Sequence, residues 1–303
     1  MGEQYFESYD INQETFKKMQ QKMLEMLLYF KQFCEEHELM FYLCGGAAIG
    51  AIREHGFVPW DDDIDVFMPR ADYEKFAELW PKYGDTNKYV FCRTNDKVNF
   101  HHSCTSLRDP STTFICSYNQ NLDICHGLAF EIGPIDGCPS SKIARAIQLF
   151  HAFNYALFNT QRLPNNKGVF FRAMASVIYT ILPSEKVRFK IWKHAEREMS
   201  KYRWSECENV TELIGSVKGM LFVHPKEWFS SQVWVDFEGH KVPVMAGYDH
   251  YLRRVFGDYM KRPPKEQQHA KHQLEFVDMD HPYTYYKGKK YFPGRKGKVG
   301  GAM

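Results

Sequence analysis

Residues 42–66, YLCGGAAIGAIREHGFVPWDDDIDV, decide how this chain folds. The apolar run at 40–43 predicts a short strand, and Gly45-Gly46 closes it with a turn in which the backbone can approach an anion. Residues 47–55 have the pattern of a short helix. Residues 64–68 then alternate as a strand does, with acidic residues on one face. The order of strand, glycine turn, helix and acidic strand predicts a mixed α/β fold built around a candidate site.

The acidic strand carries the residues with the clearest chemistry. Asp63 and Asp65 stand two residues apart, so in a strand they project from the same face. Glu131, inside a second predicted strand at 128–132, is the best candidate for a third carboxylate beside them. Carboxylates together with phosphate oxygens are the usual ligands of Mg²⁺. The trio predicts phosphoryl transfer that depends on Mg²⁺ or Mn²⁺.

A solvated acidic loop is the competing interpretation of this run. It is disfavoured for Asp63 and Asp65, because apolar residues interleave with them as they do in a strand that faces a core. Asp61 and Asp62 fit a loop and a functional role equally well.

The patterning divides the chain into three regions. Residues 1–140 form the predicted catalytic core, beginning with an amphipathic helix at 14–39 whose apolar residues recur every three or four positions. Long helical patterns indicate a helical subdomain at 141–210. Residues 211–303 are predicted to complete the site and to end in a basic tail. That tail, 287–298, has six basic residues and no acidic one, and we expect it to be a frayed, solubilising terminus.

Composition excludes several classes of protein. The 303 residues include 39 basic and 37 acidic ones, a net charge of +2, which disfavours a nucleic-acid-binding surface. None of the eight cysteines is in a C-x-x-C pair, so a zinc knuckle is not expected. No signal peptide or membrane-spanning run is visible, which predicts a cytoplasmic protein. Aromatic and basic residues at 150–182 could rest on the inner face of a membrane, although a subdomain core is the simpler interpretation.

Several blocks of the chain together resemble one family. Residues 42–66 closely resemble the signature of the LicD family, phosphocholine and polyol-phosphate transferases related to the fukutins. Further blocks are similar to that family's other motifs, at 68–73, 107–114, 130–137, 237–239 and 251–264. The likeness therefore spans most of the chain.

The resemblance implies a nucleotidyltransferase-like fold, a mixed sheet with a helical insertion. It implies transfer of a phospho-alcohol, with phosphocholine favoured, from a CDP-linked donor to a hydroxyl of a cell-surface glycan or a teichoic-acid-like precursor, releasing CMP. The acceptor could be carried on a lipid. On this reading Asp63 and Asp65 bind the metal ions. Glu131 stands where such folds place a third carboxylate, with Asp136 as the alternative.

The resemblance also assigns roles in binding the donor. Gly45 and Gly46 would lie against the donor diphosphate. Arg53 and Arg108 could pair with phosphate oxygens through their guanidinium groups, or each could form a local ion pair instead. Which alcohol is carried, which glycan accepts it and the oligomeric state stay open.

Two other functions remain possible. A glycosyltransferase could use the D-x-D to hold a nucleotide-sugar, although little of a nucleotide-binding α/β region precedes residue 63. A nucleotide-binding protein that has lost catalysis is the second alternative, and the retained carboxylates disfavour it.

Weaker signals come from histidines and aromatic residues. His269 and His272 could reach the site from one helical face, or could be solvated. His101-His102 near Cys104 lacks a third spaced ligand, so loop or core histidines are predicted. A choline head group would need aromatic faces, and the candidates are Tyr42, Trp60, Phe114 and Trp228.

Overall fold

The computed structural model describes residues 11–160, 178, 180–182, 184–215, 217–270 and 272–294. Seven α-helices lie in these residues: α1 Gln13–Glu36, α2 Gly45–Ile49, α3 Arg70–Tyr83, α4 Lys142–Thr160, α5 Glu185–Met199, α6 Val217–Leu221 and α7 Tyr248–Phe256. The strands are β1 Tyr42–Leu43, β2 Asp65–Pro69, β3 Val90–Cys92, β4 Thr105–Asp109, β5 Thr113–Cys116, β6 Leu128–Cys138, β7 Asn209–Thr211, β8 His224–Pro225, β9 Gln232–Phe237, β10 His240–Met245 and β11 Leu274–Asp278.

One mixed sheet organises the described residues. Its main order is β3-β4-β6-β2-β1-β10-β9, with β7 and β8 continuing from the far end of β6, nine strands in all. β2 pairs with β6 in parallel, and β1 pairs with β10 in parallel, while β1–β2, β4–β6 and β9–β10 are antiparallel. A separate two-stranded sheet joins β5 to β11. The predicted mixed α/β class is confirmed.

Helix α1 buries the apolar stripe that the sequence predicted. The Asn12 side chain caps it by accepting from the Thr15 N–H at 2.9 Å. Met19, Met23 and Phe30 are fully buried. The Phe30 ring lies edge-on to Phe41 and Phe76 at centroid distances of 5.0 and 5.2 Å. It also contacts the Phe130 ring at 5.0 Å, in a tilted arrangement. The helix thus backs the strands that carry the site.

The segment between the two glycines and the acidic strand differs from the single short helix predicted at 47–55. Helix α2 already begins at Gly45, and a π-helical turn, Gly50–Glu54, follows it. The chain leaves this turn at His55, which is left-handed with φ 56°. After the turn the backbone passes close to Gly50. A Cβ on Gly50 would lie 2.3 Å from the Gly56 carbonyl oxygen, so this position has no room for a side chain.

A second apolar cluster lies between α4 and α5. Tyr155 stacks on Trp192 at 5.4 Å, and Leu213 and Met220 join them from beyond residue 210. Both helices belong to the predicted helical subdomain, but residues 161–177 of that region lie outside the described part of the chain. The limits at 140 and 210 therefore stay predictions.

The basic tail is attached as far as residue 294, contrary to the expected frayed terminus. The Phe292 N–H donates to the Gln120 carbonyl at 2.8 Å, and Lys287 pairs with Asp123 at 2.9 Å. Residues 295–298 of the tail lie outside the described residues. No helix in the described residues is both long enough and apolar enough to cross a membrane.

Candidate active site

The parallel pairing of β2 with β6 places two of the predicted carboxylates side by side. Asp65 is the register partner of Glu131, and neighbouring residues in adjacent strands project from the same face of a sheet. The Glu131 N–H donates to the Ile64 carbonyl at 3.2 Å, and the Cys44 N–H donates to the Asp65 carbonyl at 3.1 Å. The backbone at both carboxylates is thus fixed by the sheet.

Asp63 lies two residues before the start of β2 and lines one cavity together with Glu131. Burial raises the pKa of the Asp65 carboxyl well above its ordinary value, and the nearby negative charges of Asp63 and Glu131 raise it further. Asp65 lies beside Glu131 in the sheet but is not among the residues that line the cavity. The lining consists of Asp62, Asp63, Arg108, Phe114, Cys116, Tyr118, Asn119, Ala129, Glu131 and His272.

The trio fits a hard divalent cation. Carboxylate oxygens are the ligands that Mg²⁺ and Mn²⁺ prefer. Burial is the main cause of the raised pKa of Asp65, and the negative charges of Asp63 and Glu131 add to it; a bound cation would balance those charges. That Asp63, Asp65 and Glu131 hold the cation together stays a prediction. In the described residues, the groups whose ligand atoms all lie within 4.8 Å of one another are His102, Cys104 and Glu131, and Asp62, Asp63 and His272.

Glu131 is held by two residues that the sequence had not linked to it. His102 Nε2 lies 3.1 Å from Glu131 Oε1, and Cys104 Sγ lies 3.4 Å from Oε2. Burial alone would raise the pKa of Glu131, but the charge and hydrogen bond of His102, helped by His272 and Arg108, lower it to about 2. In the Asp65–Glu131 pair, the pKa of Glu131 is therefore lowered and that of Asp65 is raised.

Helix α4 orients the loop that carries His102. The Asn159 amide donates to the His102 carbonyl, and the Tyr155 hydroxyl donates to the Ser103 carbonyl. His102 Nδ1 lies 3.1 Å from Cys104 Sγ while its Nε2 faces Glu131. One ring nitrogen of His102 thus contacts Cys104 and the other contacts Glu131, so the ring holds the Glu131 carboxylate in position.

His272 reaches the site from the loop before β11. Its backbone N–H donates to Asp62 Oδ2 at 3.2 Å, and its Nδ1 lies 3.2 Å from the same oxygen and 4.0 Å from Asp63 Oδ2. Burial lowers the pKa of His272, but the acidic residues Asp62, Asp63 and Glu131 outweigh this and raise it to about 9. His272 therefore brings a positive charge to the cavity, and Asp62 is buried rather than a solvated loop residue.

His269 does not share this position. It lies outside any helix and lines a separate cavity with Trp60 and Phe57. The expected common helical face of His269 and His272 is therefore wrong, because residues 268–270 and 272–273 are not helical.

The two glycines border the acidic loop. Gly45 has φ +55°, a conformation that side chains rarely adopt. A Cβ on Gly46 would lie 1.9 Å from Asp61 Oδ2, so the absence of a side chain there makes room for the Asp61 carboxylate. Asp61 is itself buried.

The two predicted arginines have different surroundings. Arg108 lines the cavity, and its Nη1 donates to the Cys125 carbonyl at 3.0 Å. Arg53 instead pairs with Glu54 at 2.7 Å and donates to the Tyr259 carbonyl at 2.6 Å. Arg53 therefore forms the local ion pair that was the alternative to a phosphate contact. Arg108 is the arginine whose guanidinium group lies at the cavity with the carboxylates.

Asp136, the alternative third carboxylate, is engaged elsewhere. It is fully buried and accepts from Arg70 Nε at 2.6 Å and from Arg70 Nη2 at 2.8 Å. Glu131 and Asp136 are five residues apart on β6, an odd separation that turns them to opposite faces. Glu131 is therefore the β6 carboxylate that joins Asp65.

The four aromatic residues considered for choline do not gather at one place. Tyr42 is fully buried and donates to the Phe229 carbonyl. Trp228 stacks on His250 at 5.2 Å, Phe114 lines the carboxylate cavity, and Trp60 lines the other cavity. No aromatic cage for a quaternary ammonium group is formed by these four residues.

Comparisons with known proteins agree with this geometry. Residues 38–109 match the family described as LicD/FKTN/FKRP, nucleotidyltransferase domain. Over 265 residues the chain is 28% identical to the lipopolysaccharide cholinephosphotransferase LicD of Haemophilus influenzae, covering 85% of this chain and 96% of that protein. The resemblance predicted from the motifs is thus confirmed: residues 38–109 are similar to the LicD-type nucleotidyltransferase domain, and most of the chain is similar to a lipopolysaccharide cholinephosphotransferase.

Proposed function

We propose that this chain is a transferase that moves phosphocholine from CDP-choline to a hydroxyl of a cell-surface glycan, releasing CMP, and that it needs Mg²⁺ or Mn²⁺. The observation that carries the proposal is the register pairing of Asp65 with Glu131, beside the cavity that Asp63 and Glu131 line. The similarity to a lipopolysaccharide cholinephosphotransferase supports the choice of phosphocholine and of a glycan acceptor.

Each residue at the cavity has a role in this reaction. A divalent cation held by Asp63, Asp65 and Glu131 would neutralise charge on the donor phosphates. Arg108 and His272 present positive charge to the same cavity and would bind phosphate oxygens. Asp62 holds His272 in place through the backbone N–H at 3.2 Å. The acceptor hydroxyl would then attack a phosphorus atom whose position is fixed from several sides.

A nucleotide-release assay tests the proposal. The purified chain is given Mg²⁺ or Mn²⁺ with CDP-choline, CDP-ribitol, CDP-glycerol or a UDP-sugar, in the presence of lipopolysaccharide or teichoic-acid precursors. We expect metal-dependent CMP release from CDP-choline, and loss of release in Asp63→Asn. The matched control is Asp236→Asn, since Asp236 is exposed and pairs only at the surface with Lys241 at 2.9 Å.

The other outcomes distinguish the alternatives. Release of UDP from a sugar donor would establish a glycosyltransferase. Tight nucleotide binding without release, with every acceptor, would establish a protein that has lost catalysis. Full activity in a folded Asp63→Asn protein would overturn the assignment of the carboxylate site.

A further inference from the structure

Helix α4 is apolar on two sides, and the described residues pack against only one of them. Its inner side contacts α5, with Ala152 and Tyr155 buried against Trp192. Its outer side exposes four large apolar residues, with fractional exposures of 76%, 46%, 63% and 43% for Ile143, Ile147, Phe150 and Phe153. We call these four residues the α4 apolar face.

The spacing of the α4 apolar face makes it continuous. Positions 143, 147 and 150 follow the steps of four and three that align side chains along one side of a helix. Exposed apolar residues scattered singly are ordinary, but a contiguous row marks an interaction surface. The exposed fractions show that the described part of the chain leaves this row open to solvent.

Positive charge borders the α4 apolar face. The 19 residues of α4 include no Asp or Glu. On the neighbouring helix α5, Lys186, Lys190, Lys193 and Arg197 are exposed; of its acidic residues, Glu185 is exposed, Glu198 is half-buried and Glu196 is buried. Lys193 pairs with Glu196 at 2.7 Å and Arg197 with Glu198 at 3.3 Å, so the basic residues of the outer surface outnumber the acidic ones. The two helices meet where the rings of His151 and His194 lie 5.4 Å apart, and Arg197 Nη2 lies 3.0 Å from His194 Nδ1. The apolar row therefore continues into a cationic rim.

We propose that the α4 apolar face docks on a membrane surface that contains anionic phospholipids, with the α5 cations against the lipid head groups. An interfacial helix combines large apolar side chains on one face with flanking Lys and Arg, and anionic lipid adds attraction for each such cation. A second copy of this chain is a poorer occupant, because a symmetric contact would bring two cationic rims together. The surface is independent of the carboxylate site, so its test needs no transfer activity.

Vesicle flotation with the full chain tests the proposal. Vesicles of phosphatidylcholine alone are compared with vesicles containing about 30% phosphatidylglycerol, at low and at high salt. We expect binding to the anionic vesicles only, weakened by salt because exposed charges are screened. Removing one exposed phenyl group from the lipid contact, in Phe150→Ser, is expected to weaken partitioning by about tenfold or more.

Two variants and a control separate the contributions. Lys186→Glu with Lys190→Glu reverses the charge at two of the four α5 cations while leaving the apolar row, and should abolish the preference for anionic vesicles. Tyr83→Ser is the matched control, because Tyr83 on α3 is 64% exposed and should be replaceable without loss of binding. Thermal unfolding of each variant checks that these exposed positions leave the fold unchanged.

Three results would overturn the proposal. The wild-type chain could fail to bind anionic vesicles. Binding could be equal in Phe150→Ser and in the Tyr83→Ser control. Finally, Phe150→Ser could dissociate a dimer in solution without any vesicle binding by the wild type, which would make a second copy the occupant.

Discussion

Removing the Asp136 carboxylate should destabilise the fold without directly removing a ligand from the carboxylate site. In Asp136→Ala the buried Arg70 loses two hydrogen bonds of 2.6 and 2.8 Å and keeps only Glu74, at 3.0 Å, among the carboxylates it contacts. Leaving such a buried charge without its main partner costs about 3–5 kcal/mol. In a chain of this size that lowers the midpoint of thermal unfolding by about 5–8 °C.

Circular dichroism during heating and urea titration measures this loss. Replacing both partners, in Arg70→Met with Asp136→Leu, should recover much of the free energy of unfolding, because no buried charge is left unpaired. The control is Asp236→Ala, whose pair with Lys241 is exposed on both sides and should cost about 1 kcal/mol or less. If Asp136→Ala unfolded as the wild type does but lost activity at low temperature, Asp136 would be a ligand and the assignment of Glu131 would fail.

The other predictions concern the loop and the histidines. Gly46→Ala places a Cβ 1.9 Å from Asp61 Oδ2, so the carboxylate must shift by more than an ångström, and nucleotide release should fall on the order of 100-fold with an unchanged circular dichroism spectrum. His102→Ala removes the contact of 3.1 Å to Glu131, and Mn²⁺ affinity measured by calorimetry should fall about 10- to 100-fold, with partial rescue in His102→Gln. The pKa of His272 is raised to about 9, above its unfolded value of about 6.5. The contribution of His272 to the free energy of unfolding is therefore complete below about pH 6.5 and is lost as the pH rises through about 9. Urea titrations in EDTA should show this loss in the wild type but not in His272→Gln.

The local patterns of the sequence predicted the fold well. The stripe of α1, the glycine turn and the acidic strand are each contained in one short segment, so periodicity and turn chemistry suffice to recognise them. The alternation around Asp65 and Glu131 also predicted that each lies in a strand. Since the structure pairs those two strands in parallel, the two predicted residues lie side by side in the sheet.

What the sequence missed depends on contacts between distant segments. His102 lies 29 residues from Glu131, and the loop that presents it is held by α4, so the spacing of histidines and cysteines gave no sign of a shared partner. His272 comes from the far end of the chain to Asp62, a sequence separation of 210. The sequence also left Asp136 as an alternative to Glu131; the register of β6 with β2 and the hydrogen bonds of Asp136 with Arg70 decide in favour of Glu131.

The parallel pairing of β1 with β10 has a consequence for how the chain is made. Leu43 is the register partner of Val244, so the strand next to the one bearing Asp65 lacks its second neighbour until β10 has been synthesised. At about 5–20 residues per second, that delay is on the order of 10–40 s. During this time one edge of β1 offers unpaired backbone groups to other chains. A ribosome that stalls before residue 240 therefore holds a nascent chain with an open sheet edge, and that intermediate is where we expect a chaperone to be needed.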